Sequence, residues 1–312
     1  MRNEKQRAAM TNASLEGENG FSLISNETLI KLYANLLKCR LLDQRLTALA
    51  KHGSRSVPAG SGVAGEAATV GVVMDLVPED TISSMGKGFV AAVLNGASPA
   101  TAFSSFGRAF VPNPDFGALL HTAVGAALTH KTKKNGKVAV VFWPEGESAH
   151  WQGALDAARA HGLPIIFVFQ VDFPTERGRR PAPSKPQRIT VNDGELGLPR
   201  ITVDGNDAVA VYRVAHESIA RARLGRGPTL IRAEIFRPNG YGKGQDSISN
   251  MEIYLRGKGL YNREVKKRIV EDFTRELDSA MKAARKKAPT RAREGIGLRF
   301  ISRAGVSGRK PA

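Results

Sequence analysis

The chain has 312 residues, of which 42% are hydrophobic, and its formal net charge is +17. This length and apolar content predict a globular protein with a substantial core and exclude a disordered chain. The single cysteine, Cys39, excludes a disulfide framework and a cysteine-clustered metal site. No apolar run approaches the roughly 20 residues of a membrane-spanning helix, and the first residues lack the apolar segment of a signal peptide. We therefore expect a cytoplasmic protein without a membrane partner.

The positive charge is concentrated near the carboxyl terminus. Residues 282–312 contain ten Lys or Arg residues and a single acid, Glu294. This segment therefore carries more than half of the net charge of the chain. Such a stretch is more typical of a solvated terminal tail than of an element that reads nucleic acid. We predict a flexible leader at 1–25, a folded domain at 26–287 and a basic disordered tail at 288–312, and we do not expect nucleic acid as the main partner.

The amino-terminal part of the predicted domain is helical. Apolar side chains recur at helical spacing after an N-cap candidate, Ser25 or Asn26, and predict a long amphipathic helix. These side chains are Leu29, Leu32, Leu36, Cys39 and Leu46. A glycine-rich segment, a helix that runs through Val73, a short strand "TISSMG" and a helix "GFVAAVLNG" follow.

The segment from Gly117 to Asp172 has a regular β-α-β pattern. After a helix "GALLHTAVGAALTHKT" come a buried strand "KVAVVFW", a helix "SAHWQGALDAARAHG" and a strand "PIIFVFQ". Right-handed crossovers place such strands parallel, and ligands bind where their carboxyl ends open. Glu145 and Asp172 come after the two strands, so we expect both at that edge.

The remaining elements repeat the alternation of strand and helix. A loop "FPTERGRRPAPSKPQR" precedes a strand and turn "LPRITVDGND", a helix "AVAVYRVAHESIARARLG" and a last buried strand "GPTLIRAEIFR". A second loop, "PNGYGKGQDS", follows this strand. A helix is predicted from Asn262 to Lys287.

The order of these segments resembles the alpha subunit of the thiamine diphosphate-dependent, decarboxylating component of 2-oxo acid dehydrogenase complexes, as in pyruvate dehydrogenase. The resemblance runs from about Thr28 to Lys287. It is carried by "GEAATVGVVMDLVPEDTI", "FGALLHTAVGAAL" and "VDGNDAVAVYRVAHESIARARLGRGPTLIRAEIFR". It implies one α/β domain of the thiamine diphosphate-binding fold, with a mainly parallel sheet and helices on both faces.

The resemblance also implies a cofactor site. In that family one strand ends in Gly-Asp-Gly and the next in Asn-Asn, and these ends hold Mg²⁺ and the diphosphate. Here the first motif reads Pro144, Glu145, Gly146, and the second reads Val171, Asp172. We therefore expect Glu145, Gly146 and Asp172 to bind thiamine diphosphate, with the two carboxylates as Mg²⁺ ligands.

Three further positions are expected at this site by resemblance. Gly117 opens the helix before the first cofactor strand. Lys87 stands where the family has a Tyr-Arg pair and a His, and it can meet a phosphate as a point charge. Tyr241 stands in the segment where the family has Arg-Gly-His, so it is a weak catalytic candidate because a Tyr titrates near pH ~10.

The altered motifs leave more than one function open. The resemblance implies an alpha-type subunit that, with a beta-type subunit in a heterotetramer, decarboxylates a 2-oxo acid and passes the acyl group to a lipoyl-bearing acyltransferase. The alternative is a non-catalytic paralogue that keeps the fold and subunit contacts, in which Glu145, Glu147 and Asp172 only solvate loop ends. A minor alternative is a basic binding module whose tail meets nucleic acid or an acidic partner. The identity of the 2-oxo acid does not follow from the sequence.

Overall fold

The computed structural model describes residues 24–51, 65–84, 88–99, 116–144, 151–175, 197–238 and 246–287. Its helices are α1 (Asn26–Lys51), α2 (Glu66–Val73), α3 (Gly88–Leu94), α4 (Phe116–Lys133), α5 (Trp151–Ala160), α6 (Ala208–Arg223), α7 (Ser247–Gly257) and α8 (Arg263–Lys287). Its strands are β1 (Thr81–Ser84), β2 (Ala139–Pro144), β3 (Ile165–Thr175), β4 (Arg200–Asp204) and β5 (Thr229–Pro238). The predicted tail, and the predicted leader apart from its last two residues, lie outside the described residues.

The five strands form one sheet in the order β1-β2-β3-β5-β4, and every neighbouring pair is parallel. Side chains alternate between the two faces of the sheet, as the pleat requires. Val140 and Phe142 of β2 pack with α2, α3 and α6, whereas Ala139 and Val141 pack with α4 and α5. Both faces are therefore covered by helices, and the predicted α/β fold with a parallel sheet is confirmed.

A third layer of helices covers α2 and α6 on the side away from the sheet. It consists of α1, α7 and α8, whose apolar side chains form one buried cluster with α2. All five apolar positions predicted for the first helix are buried, since Leu46 exposes only 2% and the other four expose nothing. Ser25 caps this helix, because the amide of Thr28 donates to Oγ of Ser25 at 3.2 Å. The helical spacing in the sequence therefore located the core face of α1.

One predicted boundary is wrong, and one helix was not predicted. The loop expected to begin at Phe173 is still strand, because β3 continues to Thr175 and stays in register with β5 up to Pro238. Long-range pairing thus extends a segment whose local composition indicates a loop. Helix α7 was not predicted, although Asp246 caps it by accepting a hydrogen bond from the amide of Ser249 at 2.9 Å.

Helices α2 and α6 approach each other closely at Gly71. A β-carbon at this position would lie 2.8 Å from Cγ1 of Val211 and 2.9 Å from the backbone nitrogen of Tyr212. We predict that Gly71→Ala lowers the free energy of unfolding by about 1–3 kcal/mol, because a backbone atom cannot yield as a side chain can. Gly153→Ala in α5 is the matched control, since its β-carbon would meet nothing within 4 Å. Urea denaturation of both variants is the measurement, and equal effects would contradict this packing argument.

Candidate active site at the carboxyl edge of the sheet

The direction in which successive strands are added to the sheet reverses between β3 and β5. Helix α5 carries the chain from β2 to β3 on one face, and α6 carries it from β4 back to β5 on the other. The two strands that meet at this reversal therefore receive their connections from opposite faces. In open α/β sheets, the crevice outside the carboxyl ends of such strands is where ligands bind. The fold thus places a candidate site at the carboxyl ends of β3 and β5.

Asp172 lies close to this edge, although β3 does not end there but continues to Thr175. It is part of β3 and stands in register with Ile235 of β5. Pro144, the last residue of β2, stands in register with Gln170, two positions before Asp172. The end of β2 is therefore adjacent to the part of β3 that contains Asp172.

Four of the other predicted site residues, Lys87, Glu145, Gly146 and Tyr241, lie outside the described residues. Gly117 is described and buried in the first turn of α4, and its carbonyl oxygen lies 2.6 Å from Nδ1 of His121. Of the predicted set, the structure therefore locates Gly117 and the backbone of Asp172.

The amino end of α4 lies on the same side of the sheet as the candidate site. The opposite end of this helix is fixed at the amino edge, because Nε2 of His130 lies 2.9 Å from Oγ1 of Thr81, the first residue of β1. Gly117 therefore belongs to the carboxyl edge. Helices α5 and α6 follow β2 and β4 and also begin at that edge. The positive dipole ends of α4 and α5 favour an anionic ligand there, whereas the amino end of α6 is already capped by Asp207.

Gln170 places a polar group inside this edge of the sheet. Its Nε2 atom is buried and has no hydrogen-bond partner among the described residues. A buried donor without a partner costs about 1–3 kcal/mol, so it is normally retained only where a ligand, ion or water satisfies it. Gln170 therefore supplies an N–H group suited to an oxygen-rich ligand beside Asp172.

A turn of sequence Asp204-Gly205-Asn206-Asp207 fixes the end of β5 from its other side. The amide of Gly205 donates to the carbonyl of Glu234 at 2.7 Å, which continues the β4–β5 ladder by one bond. The carboxylate of Asp207 then accepts from two backbone amides of α6 and starts that helix. The turn thus links the carboxyl ends of β4 and β5 to the beginning of α6.

A buried ion cluster lies next to the same edge, where Arg40 of α1 bridges two carboxylates. Its Nε and Nη2 donate to the two oxygens of Glu66 at 2.7 and 2.6 Å, and Nη2 also donates to Asp246. Glu66 is the first residue of α2 and its side chain is completely buried. Asp246 precedes α7 and follows the stretch that contains Tyr241. Arg40 therefore fixes the starting points of α2 and α7 relative to each other.

The ion cluster changes the pKa of two of its members. Burial raises the pKa of Asp246, but the hydrogen bonds from Arg40 and Ser249 and the charge of Arg40 outweigh it, so the pKa lies below its ordinary value. Burial disfavours the charged form of Arg40, yet its bonds to Glu66 and Asp246 raise its pKa. Arg40 and Asp246 are therefore both charged at neutral pH.

This cluster predicts a pH-dependent stability. Asp246→Asn keeps an oxygen for the helix cap but removes the charge that pairs with Arg40. Because the pKa is depressed in the folded state, the charge stabilises the fold above the unfolded pKa of about 3.9, and this contribution is lost as the pH falls through the folded value. We expect the variant to be about 1 kcal/mol less stable at pH 7 and nearly equal to the wild type at the acid limit. Denaturation at pH 7, 5 and 3 measures this difference, and a constant gap would contradict the argument.

Among the described residues, no group of three or more His, Cys, Asp or Glu side chains is arranged to hold a metal ion. The predicted ligand Glu145 and the side chain of Asp172 do not belong to the described part of the chain, so the predicted Mg²⁺ site stays a prediction. No helix in the described part of the chain combines the length and apolarity needed to span a membrane.

Comparison with known proteins agrees with the fold. The sequence model of the dehydrogenase E1 component family matches residues 107–293, more than half of the chain. The chain therefore belongs to the dehydrogenase E1 component family. The matched region contains α4, the strands β2 to β5 and the helices that follow them.

Within this family the chain is similar to alpha subunits. It is 26% identical over 297 residues to the pyruvate dehydrogenase E1 component subunit alpha of Acholeplasma laidlawii, covering 83% of this chain and 84% of that protein. It is 27% identical over 308 residues to the subunit of the same name from Staphylococcus aureus, covering 88% of this chain and 82% of that protein. The subunit from Staphylococcus epidermidis is 28% identical over 299 residues, covering 84% and 79%. The resemblance to an alpha-type 2-oxo acid dehydrogenase component is thus confirmed.

Proposed function

We propose that the chain is the alpha-type subunit of a thiamine diphosphate-dependent 2-oxo acid dehydrogenase. Membership of the E1 family implies the use of thiamine diphosphate, and the alpha type implies a beta-type partner. The observation that carries the proposal is the position of Asp172, which lies close to the carboxyl edge at the switch point of the sheet, in register with Ile235 of β5. No observation favours a non-catalytic paralogue over this function.

The described residues fit an anionic, oxygen-rich cofactor. The Nε2 of Gln170, which has no partner within the described part of the chain, is a donor for an oxygen, and the amino ends of α4 and α5 favour negative charge. The carboxylates of Glu145 and Asp172 are of the type that Mg²⁺ prefers, and we propose that they hold this ion against the diphosphate. Two carboxylates without metal would repel a diphosphate, so metal binding comes first.

When bound, thiamine diphosphate supplies the carbon nucleophile and electron sink for decarboxylation. The chain's own residues would bind and orient the diphosphate: Asp172 and Glu145 through the metal, Lys87 by charge, and Gly117 at the start of α4. Tyr241 is a weak candidate for the position at which the family has a His, since its hydroxyl is a poor proton shuttle at neutral pH.

The proposal extends to assembly and transfer. The chain would join a beta-type subunit in a heterotetramer in the cytoplasm, and the acyl group would pass to a lipoyl-bearing acyltransferase. The solvent side of α4 is rich in small residues, among them Ala118, Thr122 and Gly125, all of which are exposed in the single chain. Small side chains permit close helix packing, which is consistent with a contact to another subunit.

The proposed function is tested by activity. The chain assembled with its beta-type subunit is expected to reduce ferricyanide in the presence of a 2-oxo acid, thiamine diphosphate and Mg²⁺, and to lose this activity when the cofactor is omitted. Pyruvate and branched 2-oxo acids are compared in order to identify the substrate. Asp156→Asn, an exposed acid in α5, serves as a control that retains activity. An assembled tetramer without turnover on any 2-oxo acid would support the non-catalytic paralogue instead.

A further inference from the structure

Asn206 occupies a special place at the carboxyl edge because its side chain pairs with the backbone of β5. Its Oδ1 accepts from the amide of Phe236 at 2.9 Å, and its Nδ2 donates to the carbonyl of Phe236 at 3.2 Å. Asn206 as a whole is only 8% exposed, so these bonds are shielded from water. The Asn206 amide therefore satisfies both backbone groups of Phe236 on the β4 side of β5.

The backbone of β4 cannot make these bonds itself. It leaves the sheet after Asp204, whose Oδ1 accepts from the amide of Asn206 at 2.9 Å and tightens the turn toward α6. At Gly205 the turn comes so close to β5 that a β-carbon would lie 2.8 Å from Cγ1 of Ile235 and 3.0 Å from the carbonyl oxygen of Glu234. A glycine here therefore brings Asn206 within reach of Phe236.

The other side of the same segment of β5 contacts the strand that carries Asp172. Ile235 stands in register with Asp172, and Phe236 with Phe173. Because the peptide groups of a strand point alternately to its two neighbours, Phe236 bonds toward the β4 side and its flanking residues bond toward β3. Without Asn206, the last residues of β5 would be held only by β3, and the two strand ends would fray together.

We propose that Asn206 is a positioning residue for the cofactor edge, which it acts on through β5 and Asp172. This inference rests on the proposed function, because it concerns the same site. A side chain that orients a metal ligand from outside the coordination sphere typically changes metal affinity about 10–100-fold when removed. We expect Asn206→Ala to weaken Mg²⁺-dependent binding of thiamine diphosphate by about tenfold or more.

The control variant must lose about as much stability as Asn206→Ala without altering the carboxyl edge of the sheet. Ile219→Val removes one methyl group from a fully buried side chain of α6, and its cost is similar to that of a lost hydrogen bond. Both variants are assembled with the beta-type subunit and titrated with thiamine diphosphate and Mg²⁺. Only Asn206→Ala is expected to weaken binding, and equal affinities in the two variants would overturn the inference.

Hydrogen exchange provides a second readout that does not need the cofactor. The amides of Ile235 and Phe236 are expected to exchange faster in Asn206→Ala, while amides at the amino end of β5 keep their protection. Unchanged exchange at Phe236 would overturn the inference even if the variant binds cofactor poorly. A wild type that binds no thiamine diphosphate would instead overturn the proposed function, while the exchange result still tests the bracing of β5.

Discussion

Replacing Arg40 by methionine is expected to lower the free energy of unfolding by about 3–5 kcal/mol, because it removes the cation that bonds both oxygens of a buried carboxylate. Glu66 loses both of its bonds from Arg40, and its side chain has no exposed surface through which water can replace them. Asp246 also loses its partner, but 21% of its side chain is exposed, so it is less affected. Urea denaturation of the assembled and isolated chain measures the loss.

A double variant separates the effect of the buried charge from the effect of the changed side-chain packing. Arg40→Met combined with Glu66→Leu removes both members of the buried pair, and such replacements by apolar residues are often neutral. We expect the double variant to recover most of the stability lost by Arg40→Met. The exposed pair of Arg45 and Asp278 is the control, and Arg45→Met should change the free energy of unfolding by less than about 1 kcal/mol. A double variant less stable than Arg40→Met would contradict the assigned role of Glu66.

The second large effect is expected at the opposite edge of the sheet. The side chain of Asp80 is fully buried and accepts from the amides of Val77 and Val138, both at 2.9 Å, and from Nη2 of Arg223 at 2.6 Å. Asp80→Ala leaves the buried amide of Val138 unpaired and removes the partner of Arg223. We predict a loss of about 3 kcal/mol in the free energy of unfolding.

Asp75 provides the matched control for Asp80. It is an acid of the same segment, and its partner His216 is 60% exposed. Asp75→Ala is therefore expected to cost less than about 1 kcal/mol, as for other surface pairs. Cofactor affinity should not change in the Asp80 variant at temperatures where it stays folded, because this network lies at the amino edge. Weakened cofactor binding without unfolding would show that the two edges are coupled.

Much of the fold follows from the sequence because its signals are local. The buried strands read as continuous apolar runs, and the side chains from Leu29 to Leu46 recur at helical spacing. Helix α7 was missed because it is short and follows a glycine-rich loop, although Asp246 and the spacing of Ile248, Met251 and Leu255 were usable signals. The sheet order depends on pairing between distant strands, which single-sequence patterns do not specify.

Only some residues of the candidate site were predicted from the sequence, for a similar reason. Asp172 could be placed because it ends an apolar run in a β-α-β unit and because the resemblance names that position. Arg40 and Asp246 are separated by 206 positions, so neither residue indicates the other in the sequence. The bonds from Asn206 to Phe236 also required coordinates, since the side chain of a turn asparagine can equally bond to its own backbone.

The central claim is that the edge at Asp172 binds thiamine diphosphate through a metal ion. It is tested most directly by calorimetric titration of the chain, assembled with its beta-type subunit, with thiamine diphosphate in the presence and absence of Mg²⁺. The wild type is expected to bind only with Mg²⁺. Asp172→Ala should lose most of this dependence, whereas Asp172→Asn, which restores the family's residue, should bind as well as the wild type or better. No heat of binding in any of the three proteins would contradict the claim.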